Sequence, residues 1–128
     1  MEKLYPLTFR PNIHPALWGR ESWEISGHPS SPSVVAEGPL AGRTLKELAE
    51  DYGSALTGAK AHAPTRFPLL FKVIDARDRL SVQVHPNEST CELTGGEPKT
   101  EMWHVLGGNG PIFAGLKPGT TPDRKSVV

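Results

Sequence analysis

A mainly β fold with one short helix is the architecture this sequence predicts, on three observations. Thirteen glycines and thirteen prolines among 128 residues make up about a fifth of the chain, against about 12% in average proteins, and leave little room for long helices. The stretch Leu80 to His85 (LSVQVH) alternates strictly between apolar and polar side chains, the period of a half-buried strand. Only one segment carries a helix signature.

In chain order, the first segment, to about Ser33, mixes Tyr5, Phe9, Trp18 and Trp23 with Pro6, Pro11, Pro15 and Pro29. It predicts extended chain with short strands, the clearest around Trp23 to Ser26. The helix follows at about 44–54. Thr44 with Glu47 three residues later makes a capping box, and Leu45, Leu48, Ala49 and Tyr52 recur at helical spacing. Gly53 or Gly58 ends it. Residues 59–68 (AKAHAPTRFP) hold two prolines and predict a loop. Leu69 to Ala76 (LLFKVIDA) is a short apolar run, expected as a buried strand, and Asp75 to Arg79 as a polar turn. Leu80 to His85 and Thr100 to Leu106 (TEMWHVL) are expected as two further strands. Gly107 to Gly110 is a turn, with Pro111 to Leu116 as the hairpin partner of the preceding strand. The last residues, 117–128, have no pattern that could bury a face. The chain predicts one domain over 1–116 with an unpatterned tail, ending where a β-sandwich needs more strands.

Composition narrows the function. Fourteen basic and fourteen acidic residues cancel, so there is no broad electrostatic footprint for nucleic acid or an anionic membrane. A single cysteine, Cys91, excludes an internal disulfide and suits a reducing compartment. No signal sequence or membrane span is visible, and a cytoplasmic location is expected. Oligomeric state is not legible.

The chemistry lies in the alternating segments. On a strand, Ser81, Gln83 and His85 share one face and Leu80, Val82 and Val84 the other. Lys99, Glu101 and Trp103 likewise share a face of KTEMW. If both strands line one cavity, an amide oxygen, an imidazole nitrogen and a carboxylate converge, and these are acceptable zinc donors. The competing reading is a solvated strand surface. His104, beside Met102 and Leu106, reads as a packed core histidine. His14, His28 and His62 read as solvated loop residues, Cys91 as an inert small residue, and Trp18 and Trp23 as core packing. Lys72, on an otherwise apolar run, needs a partner or a water-filled cleft.

LFKVIDARDRLSVQVHPN, followed by KTEMWHVL and preceded by ESWEIS and HPSSPS, resembles the amino-terminal part of type I mannose-6-phosphate isomerases, most closely their short bacterial branch. The resemblance runs from about Leu4 to Leu116. It implies a zinc-dependent cupin, here an incomplete jelly-roll β-sandwich that interconverts mannose 6-phosphate and fructose 6-phosphate through an enediol. It implies that Gln83, His85 and Glu101 are zinc ligands. Lys99, Ser81 and Lys72 match polar residues near the sugar phosphate or the metal, and Trp23 is placed near the pocket. The implied cofactor is one zinc per chain; the implied partner is a small sugar phosphate, with no nucleic acid and no membrane. The family's fourth ligand, a histidine, and a catalytic arginine have no counterpart in these 128 residues. The alternatives are therefore a non-catalytic cupin-like module that binds metal or sugar phosphate, and an inactive truncated product.

Overall fold

The computed structural model describes residues 2–115, 118 and 119. Two compact units divide at position 82, Met1–Val82 and Gln83–Val128.

The first unit carries a three-stranded antiparallel sheet in the order β1-β2-β3, with β1 at Ile13–Ala16, β2 at Gly19–Ser26 and β3 at Leu70–Ala76. The β1–β2 turn is Leu17-Trp18, and the Trp18 carbonyl accepts from the N–H groups of Arg77 (2.8 Å) and Asp78 (3.1 Å), tying the hairpin tip to the end of β3. One irregularity in β2 decides which side chains share a face. Trp23 pairs with Lys72 but Ile25 pairs with Phe71, so Glu24 is an extra residue in a bulge. Paired residues share a sheet face and neighbours in sequence do not. The bulge therefore leaves Glu21 and Trp23 on the Lys72 face and turns Ile25 to the other.

The core of this unit forms around the expected helix. In α1 (Leu45–Tyr52), the Thr44 hydroxyl accepts from the Glu47 N–H, and the Glu47 carboxylate accepts from the Thr44 N–H, completing the capping box. Gly53 ends it, and a single turn, α2 (Ser54–Thr57), runs on to Gly58. Leu45, Leu48 and Ala49 are buried and Tyr52 half-buried. The segment 33–36 threads between the amino-terminal stretch and the helix entrance: Arg10 donates to the Val34 carbonyl, Val35 to that of Arg43, and Leu45 to that of Ser33. Val35, Leu40 and Leu48 form the core, with Leu4, Leu7 and Phe9 packed on it.

The second unit is short on regular structure. Among its described residues the one helical turn is α3 (Cys91–Thr94), followed by Gly95 in the left-handed region, φ 65°. Asn87 builds the approach to it, its side-chain oxygen accepting from the N–H groups of Ser89 (3.0 Å) and Thr90 (3.1 Å).

Several expectations are corrected. Leu80–His85, Thr100–Leu106 and the described part of 111–116 form no strand among the described residues, and the Gly107–Gly110 turn joins no hairpin. Alternation determines side-chain faces only once a neighbouring ladder holds the backbone extended, and none is present for these segments among the described residues. Most of their described apolar side chains are exposed accordingly, Val82 at 90% and Met102 at 89%, while Leu80 is half-buried. His104 is exposed too, not packed in a core. The run Leu69 to Ala76 is a strand, but an edge strand rather than a buried one, with Phe71 49% exposed. Asp75, expected in a turn, is still in β3, where its carboxylate pairs with Arg20 at 3.1 Å. Leu116, Lys117 and most of the unpatterned tail lie outside the described residues.

Candidate functional site

Two clusters of charged side chains stand out, one in each unit. In the second unit, the excursion from Pro86 to Lys99 returns on itself: the Lys99 N–H donates to the Pro86 carbonyl at 3.0 Å. This closure brings the chain just after it back beside the chain just before it. His85 Nε2 and Glu101 Oε2 consequently sit 2.8 Å apart, with side chains only 25% and 28% exposed. Lys99 Nζ lies 3.7 Å from the other oxygen, Glu101 Oε1. Burial pushes the Glu101 carboxyl up, but hydrogen bonds from His85 and Trp103, with the charges of Lys99 and His85, outweigh it and hold the group below its ordinary range. The carboxylate is thus ionised at neutral pH.

The donor set suits zinc. An imidazole nitrogen and a carboxylate oxygen are already adjacent, and two donors on one tetrahedral zinc sit about 3.3 Å apart, given bonds of about 2.0–2.1 Å. An ion held by both donors would need the pair to open by about half an ångström and would take the place of the proton they share. Gln83 stands two residues before His85 in the same irregular segment; it is exposed and takes part in an interaction. Among the described residues no three His, Cys, Asp or Glu side chains converge. Ser81 is also exposed and also engaged, in the first unit.

The first unit brings Lys72 together with residues that sequence reasoning did not connect to it. Its ammonium lies 3.0 Å from Glu21 Oε2, and the same oxygen accepts from the Trp23 indole N–H at 2.7 Å. The ammonium also sits 5.5 Å from the Trp23 ring centroid. Trp23 is not core: it is half-buried, with the His14 ring 4.4 Å away and the His28 ring 6.1 Å away. His14 is correspondingly a residue of β1 and not a solvated loop histidine, and its Nε2 lies 3.3 Å from the Ser31 hydroxyl. Burial pushes the Glu21 carboxyl up, and hydrogen bonds from Trp23 and Lys72 with the charges of Lys72 and His14 more than offset it, so it ends below 4.5. The need for a partner at Lys72 was legible from its apolar neighbours; Glu21, 51 residues away, was not. The available signal was that Glu21 and Trp23 alternate on one strand.

His28 and His62 are exposed, as expected of loop histidines. The Cys91 thiol is half-buried and donates to the Glu88 carbonyl at 3.3 Å. Among the described residues no helix is long and apolar enough to cross a membrane.

A sheet with its short helix, and a histidine–carboxylate pair flanked by lysine, define a β-rich scaffold that carries a charged polar cluster. Residues 6–104 match the model of the phosphomannose isomerase type I catalytic domain, and the chain belongs to that family. YvyI of Bacillus subtilis is 42% identical over 88 residues, covering 67% of this chain and 27% of YvyI. The mannose-6-phosphate isomerase of Streptococcus mutans is 36% identical over 119 residues, covering 79% of this chain and 37% of that protein. Among solved structures, the mannose 6-phosphate isomerase from Bacillus subtilis superimposes with a TM-score of 0.61 at 31% identity, over 70% of this chain and 33% of that one. The fold is accordingly that of a β-rich part of a cupin. The chain spans roughly a third of the length of these relatives, between 27% and 37%.

Proposed function

We propose that this chain serves the interconversion of mannose 6-phosphate and fructose 6-phosphate, with zinc held by Gln83, His85 and Glu101. The observation that carries the proposal is the His85–Glu101 pair at 2.8 Å with the Lys99 ammonium beside it. When bound, zinc supplies Lewis-acid polarisation of sugar oxygens, lowering the cost of charge that develops as a proton leaves the carbon next to the carbonyl. The chain's own residues do the rest. Glu101, kept ionised by its hydrogen bonds, offers a carboxylate oxygen as donor. His85 offers the imidazole nitrogen, and the closed 86–99 loop keeps the two close together. Lys99 places a positive charge next to that centre, suited to an enediolate oxygen or to a phosphate. Lys72 and Ser81 are assigned to the sugar phosphate, Lys72 as a point charge and Ser81 as a hydroxyl donor. Trp23, beside Lys72, belongs to the same polar face.

A coupled assay of fructose 6-phosphate formation from mannose 6-phosphate, with zinc supplied, tests this reading. Turnover that is lost in His85→Ala supports it. Turnover that survives in His85→Ala removes the metal assignment. Zinc binding without turnover would make the chain a metal- and phosphosugar-binding module instead.

A further inference from the structure

We infer that Glu21 is a positioning residue for Lys72: it fixes where the lysine ammonium stands on the polar face of the sheet, and Trp23 fixes Glu21. The inference rests on the assignment of Lys72 to the sugar phosphate. Three features converge on it. One carboxylate oxygen, Glu21 Oε2, accepts both the indole N–H of Trp23 at 2.7 Å and the ammonium of Lys72 at 3.0 Å. The Lys72 and Glu21 side chains are 18% and 19% exposed, unusually covered for a charged pair on a small unit. The bulge at Glu24 is what allows this grouping, because it keeps Glu21 and Trp23 on the Lys72 face while sending Ile25 to the apolar side.

The arrangement has a direction. Trp23 is braced by the His14 ring at 4.4 Å, and its N–H points the Glu21 carboxylate. The carboxylate then holds the ammonium, which also lies over the Trp23 ring at 5.5 Å. A free lysine carries much rotamer freedom and must lose it to meet a phosphate. A lysine held by a carboxylate and an indole has already lost it, and an ammonium with three donors keeps N–H groups for a ligand while one goes to Glu21. The charge on Glu21 does not cancel that role; it holds the ammonium in place.

Selective acetylation of the full chain tests this, with occupancy read site by site in the mass spectrometer and Lys3 and Lys60 as internal references. Glu21→Gln is expected to raise the Lys72 rate about three- to tenfold, the scale of losing one partly covered ion pair, with Lys3 and Lys60 unchanged. Mannose 6-phosphate is expected to slow acetylation of Lys72 in the parent chain and to do so less in Glu21→Gln. Should Glu21→Gln fail to fold, Trp23→Phe keeps the ring, removes the N–H that aims Glu21, and is expected to raise the Lys72 rate about twofold. An unchanged Lys72 rate in the folded Glu21→Gln chain, or in Trp23→Phe where that chain must serve, overturns the inference. So does protection of Lys72 by mannose 6-phosphate that is present in both chains and equal with and without Glu21. If Glu21→Gln accelerates Lys72 but the sugar phosphate protects neither chain, positioning stands and the assignment of Lys72 to the phosphosugar falls.

Discussion

His85 Nε2 and Glu101 Oε2 are 2.8 Å apart although sixteen residues separate them along the chain. The cause is local: the hydrogen bond from the Lys99 N–H to the Pro86 carbonyl closes the intervening loop, and Asn87 folds its first turn. Among the described residues the pair is therefore assembled without a β-ladder around it, which makes its integrity depend on a loop.

The core that supports the first unit is small, so its loss is measurable. Leu48 is fully buried against Val35 and Leu40. Leu48→Ala is expected to cost about 2–5 kcal/mol, the range for a leucine truncation that leaves a cavity. Urea unfolding followed in the far ultraviolet checks this, and a cost below about 1 kcal/mol would mean the site collapses freely.

Thr44 caps α1 through a reciprocal pair of hydrogen bonds with Glu47. Thr44→Ala is expected to destabilise the unit by about 1 kcal/mol, and Thr44→Ser by much less because the hydroxyl is kept. The comparison of urea midpoints for the two variants isolates the cap.

Glu21 predicts an acid limit. Its carboxyl titrates lower in the folded chain than its ordinary 4.5, so the folded state binds the proton less readily than the unfolded one. The resulting stability is present above the unfolded value and is lost as the pH falls through the folded one. Unfolding free energy is expected to drop between about pH 5 and pH 3, and the drop to be smaller in Glu21→Gln. Equal slopes for the two chains would show that Glu21 has no part in acid stability.

Gly19 closes the β1–β2 hairpin with φ 146°, and a Cβ there would come within 2.0 Å of the Asp75 carbonyl oxygen. Gly19→Ala is expected to cost about 1–3 kcal/mol in backbone strain and to part the β2–β3 ends. Loss of the Gly19–Ala76 and Arg20–Asp75 pairing in amide exchange, with α1 protection retained, is the expected pattern.

Much of the first unit was legible. The capping box and the 3.6 period are local, and they located α1; the apolar run at 69–76 located β3 to within a residue. The strand β1 was hidden because Pro11 stands just before it and Pro15 within it, and the bulge at Glu24 leaves no mark in the alternation around it. The segments 80–85 and 100–106 show the opposite failure. Their alternation describes two faces, but a strand needs a partner's hydrogen bonds, and a periodicity carries no information about who supplies them. For the candidate site, the residue types at 83, 85 and 101 left a solvated strand surface and metal ligation both open, and it was the resemblance to type I mannose-6-phosphate isomerases that favoured metal. The Glu21–Lys72 pair was out of reach because cross-strand partners far apart in sequence are set by register.

Zinc held by Gln83, His85 and Glu101 has a direct readout: the metal content of the purified, zinc-reconstituted chain, measured beside its His85→Ala variant. About one zinc per chain, lost in the variant, is the expected result, since removing one of three protein donors collapses a site of this size. No zinc in either protein, or zinc retained without His85, would contradict the assignment.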